Sequence, residues 1–424
     1  MSLIQNFSDL AVTEKRKVAL EIVEAGLSAI QPEKVLGEAF RLKDNTLTIQ
    51  GEIFDLSSYK RIFLVGFGKG SAAMAQLIER KLGDRLTAGY VIDTKEKQLA
   101  KIQFTLGTHP LPSEANIEFT EKVLGDLQNL QTTDLVLMVV CGGGSALFES
   151  PFALGISALE KVFTTLLKSG ATISEMNIVR KHLSKVKGGG LAKHLYPATI
   201  ASLIFSDVPG NDLSVIASGP TVRDTSTLID VQKILDRYNI AKEIVSETAL
   251  TDLPQENQYF EKVKNIIILS NMTALSAMQK KAEDLGYQSF IYSDKVQGEA
   301  VTLGKVLIEK TPKGQILLAG GETTVHVTGT GKGGRNQTLV LAALPYLTEQ
   351  TIIVSIDSDG VDYYQFAGAI GDKETQEKTQ KLKLDPQKIL LNNDSFTFFE
   401  KTGDGIFTDK LESNVSDLIM VLKI

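Results

Sequence analysis

Twice in its first half the chain runs through a short, unbroken apolar stretch into glycine and then into a helix of small residues. Arg61–Val65 (RIFLV) meets Gly66 and continues as VGFGKGSAAMA into Ser71–Leu82, where Ala72, Ala73, Ala75, Leu77 and Ile78 permit close packing. Leu135–Cys141 (LVLMVVC) meets Gly142-Gly143-Gly144. An apolar run without alternation reads as a strand buried on both faces, and such strands form parallel sheets covered by helices. Tyr90–Ile92 and Ala198–Phe205 extend the pattern, and the helical stretches Ile117–Leu130, Ala158–Lys168 and Glu175–Lys187 lie between them. The first forty residues read as helices, with Val18, Ile22, Leu27 and Ile30 on one stripe and a stop at Gln31-Pro32.

The polar stretch Asp224–Tyr259 suggests a domain boundary, placed at 240/241. Beyond it, strands are expected at Asn265–Leu269, Ser289–Tyr292, Gln315–Leu318, Ile352–Ile356 and Asp417–Leu422. Helices are expected at Thr273–Leu285, Gly298–Glu309 and Asn336–Tyr346, and Thr323–Thr328 is read as pairing in a hairpin with the preceding strand. The fold class is α/β: two three-layer α/β/α domains, 1–240 with a mainly parallel Rossmann-like sheet and 241–424 with a mixed one. The active site is expected in the cleft between them.

Composition narrows the function. With 45 basic and 51 acidic residues the net charge is −6, which argues against a chain-wide nucleic-acid surface. Cys141 is the single cysteine, so neither an intrachain disulfide nor a cysteine-rich zinc site can form. No apolar run approaches the roughly 20 residues a membrane helix needs, and MSLIQNFSDLAVTEKRK lacks a signal-peptide layout. The expectation is a cytoplasmic protein, monomer or homodimer, with small-molecule partners and neither nucleic acid nor membrane.

Six segments carry candidate chemistry. In VGFGKGSAAMA, Gly66, Gly68 and Lys69 sit where a strand turns into a helix; the arrangement suits an anion, though a tight turn with a solvent-facing lysine fits the spacing too. Gly142, Gly143, Gly144 and Ser145 read as a phosphate cradle, with Cys141 as buried core rather than a reactive thiol. Arg180, Lys181, Lys185 and Lys187 crowd what reads as one helix, a basic concentration in an acidic chain that suggests an anionic ligand. Asp207 ends a strand and suits Mg²⁺, whereas Asp212 reads as a turn cap. Glu322 follows a glycine pair, and Gly333-Gly334-Arg335-Asn336 opens a helix where arginine can hold a carboxylate or phosphate through two bonds. Among Asp357, Asp359 and Asp362, Asp359 is the preferred ligand or base and the other two read as turn residues.

At these segments the sequence resembles the glycerate 2-kinases of the MOFRL class, a family also known under the name hydroxypyruvate reductase. The likeness runs nearly end to end and takes in THPLPSEAN (Thr108–Asn116), NIVRKHLSKVKGGGLA, SDVPGNDLSVIASGPT, GGETTVHVTGTGKGGRNQ, DSDGVD and NDSFTFFEKTGD. It implies a two-domain α/β enzyme transferring phosphate from ATP to the 2-hydroxyl of D-glycerate. Lys69 and Arg335 match the basic residues the family is considered to require. Two segments depart: YYQFAGA (Tyr363–Ala369) stands where the family has D-A-A-G-A, and DKLESNVSD (Asp409–Asp417) where it has G-P-T-G-T-N-V-N-D, with Asn414 and Asp417 retained. Where such segments touch substrate, they set which acceptor is taken.

On this reading Gly142–Ser145, Arg180 and Lys187 hold the phosphates of ATP, and Lys69 meets the transferring group or the acceptor. Gly66, Gly68, Glu322 and Asn336 line the substrate. Arg335 either anchors the acceptor carboxylate or stabilises the transferring charge. Asp207 and Asp359 bind Mg²⁺ or act as base. One alternative is an NAD(P)-dependent hydroxypyruvate reductase, for which Asp93, 25 residues after Gly68, would hold the ribose; in that reading His109 or His182 would be the acid–base group, although each is more often structural. Another is a non-catalytic nucleotide-binding relative.

Overall fold

The structure, a computed structural model, describes residues 2–240, 245 and 249–424. The chain forms two compact units: Leu36–Ser206 with Asn211–Ile268, and Met1–Val35 with Asp207–Gly210 and Leu269–Ile424.

The first unit is built on a six-stranded sheet in the order Ile102–Leu106, Ala88–Asp93, Arg61–Phe67, Asp134–Val140, Thr199–Phe205, Val263–Leu269. The first five strands pair in parallel throughout. The expected strands are present, each within two residues of its reading, and Ile102–Leu106 is additional. Asp134–Val140 is buried along its whole length, as an unbroken apolar run between two helical layers requires. A small antiparallel sheet, Phe40–Lys43, Thr46–Ile49 and Glu52–Asp55, precedes the main one.

The second unit has a mixed sheet in the order Gln288–Glu299, Gln315–Thr324, Asp417–Lys423, Thr351–Asp357, Gly368–Gly371, Gly405–Ile406. Only the first pair is parallel. Thr323–Thr328 makes no hairpin: Gln315–Thr324 is one continuous strand whose antiparallel partner is Asp417–Lys423. On one face Leu317, Ala319, Ile353, Ile419 and Val421 share a core with Leu339, Val340, Phe398 and Phe399. The other face carries the helices Asn271–Asp284 and Glu14–Ala29.

The units differ from a split at 240/241 in two places, and the expected boundary abuts residues outside the described set. Val263–Leu269 is the sixth strand of the first sheet, so the chain leaves that unit only near 268. Residues 2–35 pack with the C-terminal part. Arg16, fully buried, donates to Asp372 at 2.8 and 2.6 Å and to Asp404 at 2.7 Å. Gly26 lies so close to Met278 that a Cβ would come within 2.7 Å of its Cγ. A periodic apolar stripe shows that a helix has a buried face, but not which sheet it covers.

Candidate active site

Two clusters of candidate residues form, one on each unit. In the first unit the strand order reverses after Arg61–Phe67: Ala88–Asp93 and Ile102–Leu106 add on one side, Asp134–Val140 and those after it on the other. Between Arg61–Phe67 and Asp134–Val140 lies the switch point of an open α/β sheet, and ligands bind outside the carboxyl ends of the strands there. Both glycine segments leave their strands at this point. Cys141 N donates to Phe67 O at 3.0 Å and Lys69 N to Gly142 O at 2.8 Å, which ties the loops together. Gly68, at φ +108°, lies against Cys141, where a Cβ would fall 2.4 Å from the carbonyl oxygen. Gly66 belongs to the buried strand and packs on Val91. Gly66 and Gly68 therefore shape the turn.

Lys69 is exposed at this mouth, and its ammonium meets no partner among the described residues. A Cβ on Gly143 (φ +77°) would lie 3.2 Å from Lys69 Cε and 2.9 Å from His109 Cδ2, so the bare glycine leaves room for both side chains. The N–H groups of Gly142 and Gly143 donate to no described backbone carbonyl. A hydrogen-bond chain borders the loop: Ser145 Oγ to Ser218 Oγ at 2.9 Å, Ser218 Oγ to Asn177 Oδ1 at 3.3 Å, and Arg180 Nη1 to Asn177 Oδ1 at 3.1 Å.

The basic cluster does not lie on one helix, since Ile173–His182 ends before Lys185 and Lys187. Lys187 is fully buried, its ammonium 2.7 Å from Glu149 Oε2 and 3.1 Å from Phe148 O, and it has no face left for a phosphate. Lys181 is paired with Asp224 and Lys185 with Glu121. Arg180 alone of the four has no salt bridge among the described residues; it stacks over Phe163 at 4.8 Å. Asp93 is buried and accepts from Ala72 N at 3.0 Å and Thr94 N at 2.6 Å. It caps the Ser71–Leu82 helix, a commitment that removes the ribose ligand a dinucleotide site requires.

In the second unit the centre is Arg335. Its Nε lies 2.9 Å from both oxygens of Asp417, Nη1 3.0 Å from Glu322 and Nη2 3.0 Å from Asp357. Asp417 and Asp357 are buried, while the Glu322 side chain is half exposed. Burial raises the Asp417 carboxyl to about 6 against the lowering effect of Arg335, and burial with neighbouring carboxylates raises Asp357. Asn336 is buried: its Nδ2 donates to Asp417 at 2.7 Å and its Oδ1 accepts from Ser355 Oγ at 2.5 Å. Both ends of its amide are thus engaged within the cluster, which it positions. Asp362, read as a turn residue, is the buried cap of the helix Arg335–Ala343, accepting from Asn336 N at 3.1 Å and Gln337 N at 2.8 Å. Sequence reasoning missed Asp417 and Asp362 as site-forming residues. Asp417 is 82 positions from Arg335, and only strand register brings them together.

Asp359 Oδ1 accepts from Val361 N at 2.9 Å and has no other described partner. The backbone carbonyl of Asp207 accepts from Ser416 Oγ at 2.8 Å within this unit. Among the described residues no group of three or more His, Cys, Asp or Glu is arranged to hold a metal ion. Mg²⁺ beside a nucleotide commonly takes only one or two carboxylates besides phosphate oxygens and water, and Oδ2 of Asp359 has no partner among the described residues.

Comparison with known proteins gives a consistent picture. Residues 18–251 match a domain family described as of unknown function (DUF4147), and residues 315–417 match the MOFRL family. A glycerate 2-kinase of Pyrococcus horikoshii is 34% identical over 96% of this chain and 97% of its own. The crystal structure of a glycerate kinase from Thermotoga maritima superposes with a TM-score of 0.87 at 33% identity, covering 97% of this chain and 100% of that one. A protein of Agrobacterium vitis provisionally named hydroxypyruvate reductase is 35% identical over 85% of this chain and 87% of its own.

Proposed function

The chain belongs to the MOFRL-type glycerate 2-kinase family, and from that premise we propose that it transfers the γ-phosphoryl group of ATP to the 2-hydroxyl of D-glycerate, giving 2-phosphoglycerate. The observation that carries the reading is Lys69 at the switch point, without a partner among the described residues, between an open glycine cradle and a helix start. Phosphoryl transfer needs positioning and charge neutralisation above all, and these groups supply both. Gly142, Gly143, Ser145 and Arg180 hold the nucleotide phosphates, and Lys69 meets the transferring group. Lys187 acts at a distance, by keeping Glu149 neutralised beneath the loop.

Arg335 is engaged by three carboxylates and one of its bonds, to half-exposed Glu322, is the replaceable one. An acceptor carboxylate takes that position. Mg²⁺ would be held by Asp359, with Asp207 as the second candidate, and would supply the charge neutralisation that phosphoryl transfer needs. No described helix is long and apolar enough to cross a membrane; the proposal is of a cytoplasmic enzyme of small-molecule metabolism, monomeric or homodimeric.

A coupled ADP-release assay with D-glycerate, ATP and Mg²⁺, run beside NADH with hydroxypyruvate, tests this. ADP release without NADH consumption supports the kinase. NADH consumption instead overturns it, and ATP binding without turnover on any hydroxy acid supports a non-catalytic relative.

A further inference from the structure

His109 is left unused by the reading above. Its placement is built. Asn116, fully buried, accepts from Thr108 N at 3.0 Å, donates to Thr108 O at 3.0 Å and donates to Ala146 O at 2.9 Å. Thr108 Oγ1 closes the turn on Leu111 O at 2.8 Å. One buried amide thus fixes the residue before His109 to the segment that follows the second glycine loop. The imidazole is held over Gly143, with Cδ2 2.9 Å and Nε2 3.1 Å from where a Cβ would be, beside the stem of Lys69.

The other histidines mark the contrast. His182 bonds Thr251 O at 2.8 Å and Ser226 Oγ at 3.2 Å, and His194 bonds Leu124 O at 2.8 Å. The exposed His109 ring bonds no described residue. His326 is exposed without a recorded ring bond as well, but it lies far along the chain from the glycine loops, in the other unit. Exposure is therefore not the argument; what singles out His109 is the buried clamp that aims it into the cradle with Lys69.

We propose that His109 is a catalytic residue of this site, the base that takes the proton of the acceptor hydroxyl. This rests on the kinase reading. The hydroxyl O–H bond breaks and its proton passes to the unprotonated ring nitrogen. The oxygen pair forms the new bond to the γ-phosphorus, the bond from that phosphorus to the β,γ-bridging oxygen breaks, and ADP leaves with the pair. The imidazolium then returns its proton to water. The charged group facing the ring is Lys69, from the turn after Arg61–Phe67; the glycine loop opposite contributes no charge. The residue is exposed overall, but the ring packs over the glycine loop; that partial desolvation, and secondly the Lys69 ammonium, lower the His109 pKa from its ordinary value, which favours the neutral ring that can accept a proton.

The test is kcat against pH for the wild type, His109→Asn and His109→Gln, with D-glycerate and Mg·ATP and with melting temperatures as a check on folding. The expected result is a kcat about 10²-fold lower in both variants, with KM for ATP little changed and the wild-type acid limb lost. Variants with near wild-type kcat, or an acid limb that persists and so belongs to another group such as Asp417, overturn the proposal. In Lys69→Met, the His109 ring followed by NMR should titrate at higher pH than in wild type; an unchanged titration also overturns it. A wild type that releases no ADP from glycerate or any other hydroxy acid brings down the kinase reading and His109 with it, whereas active wild type with active variants brings down His109 alone.

Discussion

The two clusters handle charge in opposite ways. The first-unit cluster is open: Lys69 and His109 have no polar partner among the described residues, and two loop N–H groups donate to no described carbonyl. The second-unit cluster is closed on itself, with Arg335 bonded to Glu322, Asp357 and Asp417, and Asn336 locked beneath. An open cationic cradle gains by binding an anion. A compensated arginine must exchange one internal partner for a ligand. Removing Lys69 should therefore affect chemistry and leave folding intact, while removing Arg335 should affect both.

Arg335→Met carries the largest expected effect. It strands two buried carboxylates and should cost about 3–5 kcal/mol of stability together with turnover, measured by urea unfolding and ADP release. Lys69→Met should lower turnover by about 10²–10³-fold with stability unchanged to within about 0.5 kcal/mol; near-normal turnover would erase the contrast between the clusters. Gly143→Ala should push apart Lys69 and His109 and strain a left-handed residue by about 1–2 kcal/mol, so turnover falls further than melting temperature suggests.

Acid should act on the closed cluster. The Asp417 carboxyl is raised from its ordinary value near 4 to about 6. A raised carboxyl gives stability that is fully present below the unfolded value and is lost as pH rises through the folded one. The stability contributed by Asp417 should therefore grow from pH 7 towards pH 4, and the Asp417→Asn variant should lack that slope in denaturant unfolding. Glu322→Gln is the smallest change, below about 1 kcal/mol in stability because the pair is half exposed. It should lower KM for the acceptor by freeing one arm of Arg335; a raised KM would mean that Glu322 itself holds the substrate.

Much of the first cluster was legible because it is local. A strand, a glycine turn and a helix follow one another in sequence, so Lys69 and Gly142–Gly144 could be placed at strand ends without knowing the sheet order. The second cluster was only half legible. Gly333-Gly334-Arg335 announces a helix start, but Asp417 reaches Arg335 through antiparallel pairing with Gln315–Thr324, a register that no short window contains. Lys187 reads as a phosphate ligand for a related reason: composition shows a basic segment, and only burial reveals that Glu149 already neutralises it. His109 looked like a structural turn residue because nothing near it in sequence betrays Asn116 as a clamp. The strand that continues through Gly320-Gly321 to Thr324 reads as a hairpin because Thr323–Thr328 alternates like a separate strand after the glycine pair.

The most direct measurement is to incubate the protein with D-glycerate and Mg·ATP and pass the product to enolase without a mutase. The account predicts ADP in proportion to phosphoenolpyruvate, since only the 2-phospho ester is taken directly. ADP with a product that enolase refuses would place the phosphate on the wrong oxygen or the wrong acceptor, and no ADP at all would contradict the assignment of D-glycerate as the substrate.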